Sequence, residues 1–183
     1  MGYFAVIDTE TNWADRVMSI GCCIADADTF EAVSAKYYIL VPECKMGGMY
    51  DNALFFDTPV RPILCGREEA AKDLQEWLTQ FGVRSIFAYN AHFDRNHLPE
   101  LAQLYWYDIM RLAAYRQHNR KIPPNADCCG TGRLKRSYGV EPMLRLLSGD
   151  NTYQETHNAL YDALDELVIM RLMEHPLEAY IRL

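Results

Sequence analysis

The sequence predicts an α/β fold, a mixed β-sheet flanked by helices, on three observations. Apolar, β-prone runs come first, at residues 3–7, 17–25 and 33–41. Short β-prone runs at 85–89 and 105–107 then alternate with stretches of helical spacing. The chain closes on its clearest helical pattern, residues 158–174.

Each element has a local reason. Tyr3 to Ile7 is a buried-strand pattern ending at Asp8, and the turn Asp26-Ala27-Asp28 separates the next two runs, so the three suit an antiparallel meander. No glycine or closing bidentate acid makes a calcium loop of that turn. A loop is expected from Pro42 to about Arg67, with Gly47-Gly48 and three prolines. Glu68 to Phe81 places Ala71, Leu74, Trp77, Leu78 and Phe81 on one side of a helix that Gly82 stops. Helices are expected at 94–104, tolerating Pro99, and at 108–116, 131–138 and 141–147, with loop at 117–130. In 158–174 the apolar arc is wide, with Leu160, Leu164, Leu167 and Met170 as the expected buried positions.

With 183 residues, half of them hydrophobic, and no linker or repeat, a single domain over 1–183 is expected. No apolar run is long enough to span a bilayer, and the N-terminus lacks signal-peptide features, so a cytoplasmic protein is expected. Six cysteines without C-x-x-C spacing read as free thiols, with Cys128 and Cys129 the most exposed. The net charge is −7, but it is unevenly spread. Residues 111–145 hold eight basic side chains and two acids, a local +6 against −13 elsewhere. That asymmetry suits either a polyanion approaching an acidic, metal-loaded centre or a solvated helix face.

Three segments carry candidate chemistry. In Asp8-Thr9-Glu10, residues two apart on a strand point the same way, so two carboxylates would repel unless a cation lay between them. Hard oxygen donors favour Mg²⁺ or Mn²⁺. A strand running out into a polar loop gives the same residues. Tyr89-Asn90-Ala91-His92-Phe93-Asp94 delivers Asp94 at a helix start, where it equally reads as an N-cap. His157-Asn158-Ala159-Leu160-Tyr161-Asp162 sets a histidine before the last helix and a carboxylate in its second turn. Asp165 and Glu166, one turn further, read as a solvated face, with support of the site from behind as the alternative. His92 and His97 read as polar loop and helix residues. Trp13, Phe93 and Leu98 are placed either to contact terminal bases or to pack in the core.

Taken together and in this order, VIDTET, YNAHFD and HNALYD resemble the three motifs of the DnaQ-like, or DEDD, exonucleases of the ribonuclease H-like fold, and residues 107–113 resemble the segment between the second and third. Histidine five residues before the last aspartate resembles the histidine (DEDDh) branch; Tyr161 is not at the tyrosine-branch position. The resemblance implies two Mg²⁺ or Mn²⁺ ions, with Asp8 bridging, Glu10 and Asp162 completing one site and Asp94 serving the other. It implies His157 as general base, and Asn90, Thr9 and Thr11 as contacts to substrate. Tyr89 and Ser19 depart from the family pattern, as does the insert at 42–67. The implied activity is 3′→5′ hydrolysis of single-stranded nucleic-acid 3′ ends, releasing nucleoside 5′-monophosphates. DNA is slightly favoured, with an RNA-trimming exonuclease or oligoribonuclease as the alternative. A non-catalytic binding module and a subunit partnering a DNA polymerase are the further alternatives.

Overall fold

A computed structural model describes residues 2–183. One mixed sheet organises them, in the strand order β4-β3-β2-β1-β5-β6-β7. Its strands are β1 (Tyr3–Thr11), β2 (Val17–Asp26), β3 (Ala32–Leu40), β4 (Ile63–Cys65), β5 (Ser85–Ala88), β6 (Tyr105–Asp108) and β7 (Ile181–Arg182). β1, β2 and β3 form the expected antiparallel meander. β5 and β6 add to the other side of β1 in parallel, and β7 closes that edge antiparallel.

The helices are α1 (Arg67–Gln80), α2 (His92–His97), α3 (Met110–Ala113), α4 (Val140–Ser148) and α5 (Ala159–Met173). Alternation along β1 sends Ala5 and Ile7 into a core with Leu74, Trp77 and Leu78 of α1. Phe4 and Val6 enter the opposite core, with α4 and α5. Asp8 and Glu10 continue the Phe4/Val6 series, so strand periodicity alone aims both toward the α5 face. α5 is apolar nearly all round because it is covered on more than one side, by β1 to β3 and by α4. Leu160, Leu167 and Met170 are buried as expected; Leu164 is only partly so.

Several expectations need correction. The 42–67 segment is not wholly loop: it contains 3₁₀ turns at Glu43–Lys45 and Asp51–Ala53, and β4, which pairs parallel with β3. The helix expected over 94–104 starts at His92 and ends at His97, followed by a 3₁₀ turn at Pro99–Leu101. Leu98 precedes Pro99, and the proline ring disfavours helical backbone there; its φ of −125° and ψ of 60° leave the helix. No helix forms over 131–138. Arg133 and Leu134 instead make isolated bridges to Tyr115 and Cys128. Short apolar spacing was satisfied there by burying Leu134 alone. All six cysteines are free, with Cys128 and Cys129 partly exposed.

Candidate active site

The floor of the site is assembled by one close approach. Asp8 on β1 pairs in register with Gly21 on β2. A Cβ on Gly21 would lie 2.1 Å from the backbone carbon and oxygen of Ala159. Only a residue without a side chain lets the first turn of α5 rest on the sheet here. That contact sets Asp162 beside Asp8. Cys23, two residues along the same face, donates its thiol to the Ala163 carbonyl (3.7 Å) and ties the next turn down. At the open end of β1 the register with β2 shifts between Glu10 and Thr11, a bulge of the kind that re-aims side chains beside active sites.

Asp94 arrives from the neighbouring strand. β5 ends at Ala88, and the chain turns through Asn90, which adopts left-handed backbone (φ 60°) that asparagine tolerates better than most residues. Buried Asp108 at the end of β6 holds this turn, accepting from the Asn90 N–H (3.2 Å) and the Met110 N–H (2.9 Å). Asp94 is not the N-cap: Ala91 holds that place and Asp94 is the third residue of α2. Its Oδ1 accepts from the Thr9 N–H (3.0 Å) and Thr9 hydroxyl (2.8 Å), locking α2 to β1 across 85 residues of sequence.

Asp162 lies in the first turn of α5 rather than the second. The helix is capped by Asn158, whose Oδ1 accepts from the Leu160 N–H (3.2 Å) and the Tyr161 N–H (3.4 Å). His157, immediately before the cap, has left-handed backbone (φ 54°). This turns its side chain back over the helix end. One ligand atom each of Glu10, His157 and Asp162 lie within 4.8 Å of one another.

A depression of about 400 Å³ gathers Asp8, Thr9, Glu10, Thr11, Asn90, Asp94, His157 and Asp162, every site residue expected from the sequence. Trp13 and Phe93 form its exposed lip, at 71% and 39% exposure. Leu98 does not contribute; it is core. Four residues were missed, among them Asn12, just past the end of β1. Met49 and Tyr50 come from the 42–67 insert, and Glu155 from the loop before His157. No periodic pattern holds these positions, so spacing carried no signal for them. Glu166 is a further correction: it is 1% exposed, not on a solvated face. His97 bridges Asp15 Oδ1 (3.1 Å) and the Phe93 carbonyl (2.9 Å), outside the acidic cluster.

The electrostatics are those of crowded carboxylates. Burial lifts the Asp8 pKa well above the ordinary range, and the charges of Asp94, Glu166, Asp162 and Glu10 lift it further. Glu10 rises through burial and then through Glu155 and Asp94. Asp162 rises through burial, then Glu155, Glu10 and Asp165. Burial also raises Asp94, against the opposing hydrogen bonds from Thr9. Asp8 Oδ2 and Asp162 Oδ1 are enclosed without any hydrogen-bond partner. Buried carboxylate oxygens without donors, drawn together by rigid elements, fit a hard divalent cation, which would satisfy them and relieve the repulsion. Burial moves His157 the other way, lowering its pKa against the charge of Glu141, which favours a neutral ring able to accept a proton.

No protein family and no curated relative matches the sequence. Solved structures do match the fold. Exonuclease X in complex with 5′-overhanging duplex DNA is 21% identical, covers 92% of this chain and 90% of its own, and superposes with a TM-score of 0.54. The nuclease domain of 3′hExo, a DEDDh family member bound to rAMP, is 13% identical over 99% of this chain and 96% of its own, with a TM-score of 0.64. The zinc-bound E. coli ExoI–ssDNA complex is 14% identical over 98% of this chain but 42% of its own, also at 0.64. The chain therefore has the ribonuclease H-like α/β fold that these exonucleases share.

Proposed function

We propose that this protein is a divalent-metal-dependent 3′→5′ exonuclease that removes nucleoside 5′-monophosphates from single-stranded nucleic-acid ends. One observation carries the reading: carboxylates from β1, α2 and α5, with His157, line a single open depression. Asp8, Glu10, Asp94 and Asp162 are the residues for two Mg²⁺ or Mn²⁺ ions. Such ions, when bound, activate water and stabilise charge on the phosphate and the leaving oxygen.

The chain's own groups supply the rest. His157 takes the proton from the attacking water at a ring nitrogen. The water oxygen bonds to phosphorus, the bond from phosphorus to the 3′-oxygen of the penultimate nucleotide breaks, and that oxygen takes a proton from solvent while His157 gives its own back to solvent. Thr9, Thr11 and Asn90 border the terminal nucleotide, and the exposed faces of Trp13 and Phe93 suit stacking on its base. The basic segment approaches the same depression from one side: the Tyr89 hydroxyl, on a lining residue, donates to the Tyr138 carbonyl, and the Arg133 guanidinium lies 4.6 Å from the Tyr138 ring. Among the described residues Arg133 has no carboxylate partner, which leaves it for a phosphate, whereas Arg120 and Lys121 of the same segment line a separate depression at the C-terminal end of α5.

DNA is the first substrate to test, because the Exonuclease X and ExoI structures hold DNA. RNA is the second, because 3′hExo holds rAMP. The test incubates the pure protein with matched end-labelled DNA and RNA oligonucleotides, with Mn²⁺ and with chelator. Stepwise 3′ shortening that the chelator stops is expected, and a rate ratio between polymers reads any 2′-OH contact. Metal-independent cleavage, or none on either polymer, would sink the proposal.

A further inference from the structure

The proton transfer assigned to His157 leaves the orientation of its ring unexplained. Among the described residues no hydrogen bond reaches that ring, and its backbone sits in a region that few residues favour. Yet a general base works only with its lone pair held toward the water; displacement by about 1 Å can cost roughly a hundredfold in rate. One contact does hold the ring. Tyr50, from the insert between β3 and β4, lies parallel to it, with ring centroids 3.9 Å apart and planes at 14°.

The partner ring is itself fixed by bonds that use neither side chain. The Asn158 amide, next to His157, donates to the Ala53 carbonyl (2.8 Å), three residues beyond Tyr50. The same amide donates to the Tyr37 hydroxyl (3.0 Å), which in turn donates to the Leu54 carbonyl (2.9 Å). The Tyr161 hydroxyl, in the first turn of α5, donates to the Asp57 carbonyl (2.9 Å). On its other flank the insert is tied to the end of β1, where the Asn12 amide donates to the Glu43 carbonyl (3.2 Å) and the Trp13 N–H to the Gly47 carbonyl (3.1 Å). The insert is thus stapled to two of the three strips of chain that carry the catalytic groups, the end of β1 and the start of α5. Tyr50 is the side chain it presents to the base.

We infer that Tyr50 is a positioning residue for His157, and that the 42–67 insert serves to place it. The inference rests on the exonuclease reading for its kinetic consequence. Stacking is a property of the aromatic face, so the ring matters and the hydroxyl does not. Losing the ring frees the imidazole to rotate while every metal-site carboxylate stays in place.

Tyr50→Ala and Tyr50→Phe, each in the full chain, test this with two measurements. Steady-state hydrolysis of an end-labelled single strand with Mn²⁺ should show kcat for Tyr50→Ala down about 10- to 100-fold, with KM changed by less than about threefold. Phenylalanine should restore most of that rate. NMR of the protein without metal or substrate should find the His157 ring protons shifted upfield by the facing ring in wild type and Tyr50→Phe, and not in Tyr50→Ala; a His157→Gln sample identifies the resonance. Three results would overturn the inference: an unchanged kcat in Tyr50→Ala, a Phe variant as slow as Ala, or a loss confined to KM, which would make Tyr50 a substrate contact. Wild-type protein without turnover on either polymer defeats the exonuclease reading instead, and the NMR comparison still reports whether the two rings stack.

Discussion

The floor and the wall of the depression are built by different means. The floor consists of Asp8, Asp94 and Asp162, presented by β1, α2 and α5, and each is aimed by regular backbone geometry. The wall consists of Met49, Tyr50, Glu155 and His157, which belong to no helix or strand. His157 even needs left-handed backbone to reach its place. The floor is rigid and electrostatically unfavourable without cations. The wall is less crowded with charge and depends on a few specific contacts. Damage to the floor should therefore change metal binding and stability together, whereas damage to the wall should change rate and leave metal binding alone.

The sharpest break of that contrast is Asp8→Ala. Loss of its carboxylate should abolish turnover and weaken Mn²⁺ binding by calorimetry. The same change should raise the melting temperature of the metal-free protein, because a crowded buried carboxylate is gone. Retained turnover in that variant would defeat the metal assignment. Next is Gly21→Ala, which pushes a methyl into the Ala159 backbone. Over-packing costs about 1–3 kcal/mol when side chains can yield, and a backbone obstacle should exceed that. Denaturant unfolding measures it, and a loss under about 1 kcal/mol would mean α5 is not seated as described.

His157→Ala is the corresponding cut in the wall. It should lower kcat by roughly 10²–10⁴, the range for losing a general base, while Mn²⁺ binding persists. Equal loss of metal affinity would move His157 to the floor. Asn158→Ala severs wall from floor: it removes a cap worth about 1 kcal/mol and the amide bonds to Ala53 and Tyr37. Lower stability with a parallel fall in kcat is expected; normal kcat would show that the insert stays in register without it.

Glu166→Gln should give the smallest effect, read from its pH dependence in metal-free protein. Burial raises the folded-state pKa of Glu166 well above 4.5, and the charges of Asp94, Asp162 and Glu155 add to it, so the folded state binds more protons than the unfolded. Its contribution to stability is therefore most favourable below the unfolded pKa and diminishes as pH rises above it. The glutamine variant should gain on wild type in melting temperature between about pH 5 and 8, by about 2–4 °C for each kcal/mol relieved. Parallel curves would mean that the Glu166 carboxyl is already compensated.

The floor is legible in the sequence because three local patterns occur in the order of the motifs that they resemble. An apolar strand ending in Asp8-Thr9-Glu10, an asparagine turn before Asp94, and a capped helix carrying Asp162 each leave a pattern in neighbouring residues. Gly21 is the hidden partner: a single glycine in a strand does not say which helix comes down on it. The boundary errors have equally physical causes. Pro99 ends α2 early through its effect on Leu98, and residues 131–138 find bridge partners where short helices alone are marginal. Glu166 escapes a sequence reading because a carboxylate on a long helix is ordinarily solvated, and only burial on several sides of α5 contradicts that.

By itself, then, the sequence determined the α/β character and the meander, since two- and four-residue periodicities are set by backbone geometry, and it singled out the acidic groups and the histidine only through the ordered resemblance of three motifs. Tertiary structure alone decided that the 42–67 insert folds back on the start of α5, that Tyr50 faces His157, and that Glu155 joins the depression. Those contacts link segments about a hundred residues apart, through carbonyls and ring faces whose placement no local pattern encodes.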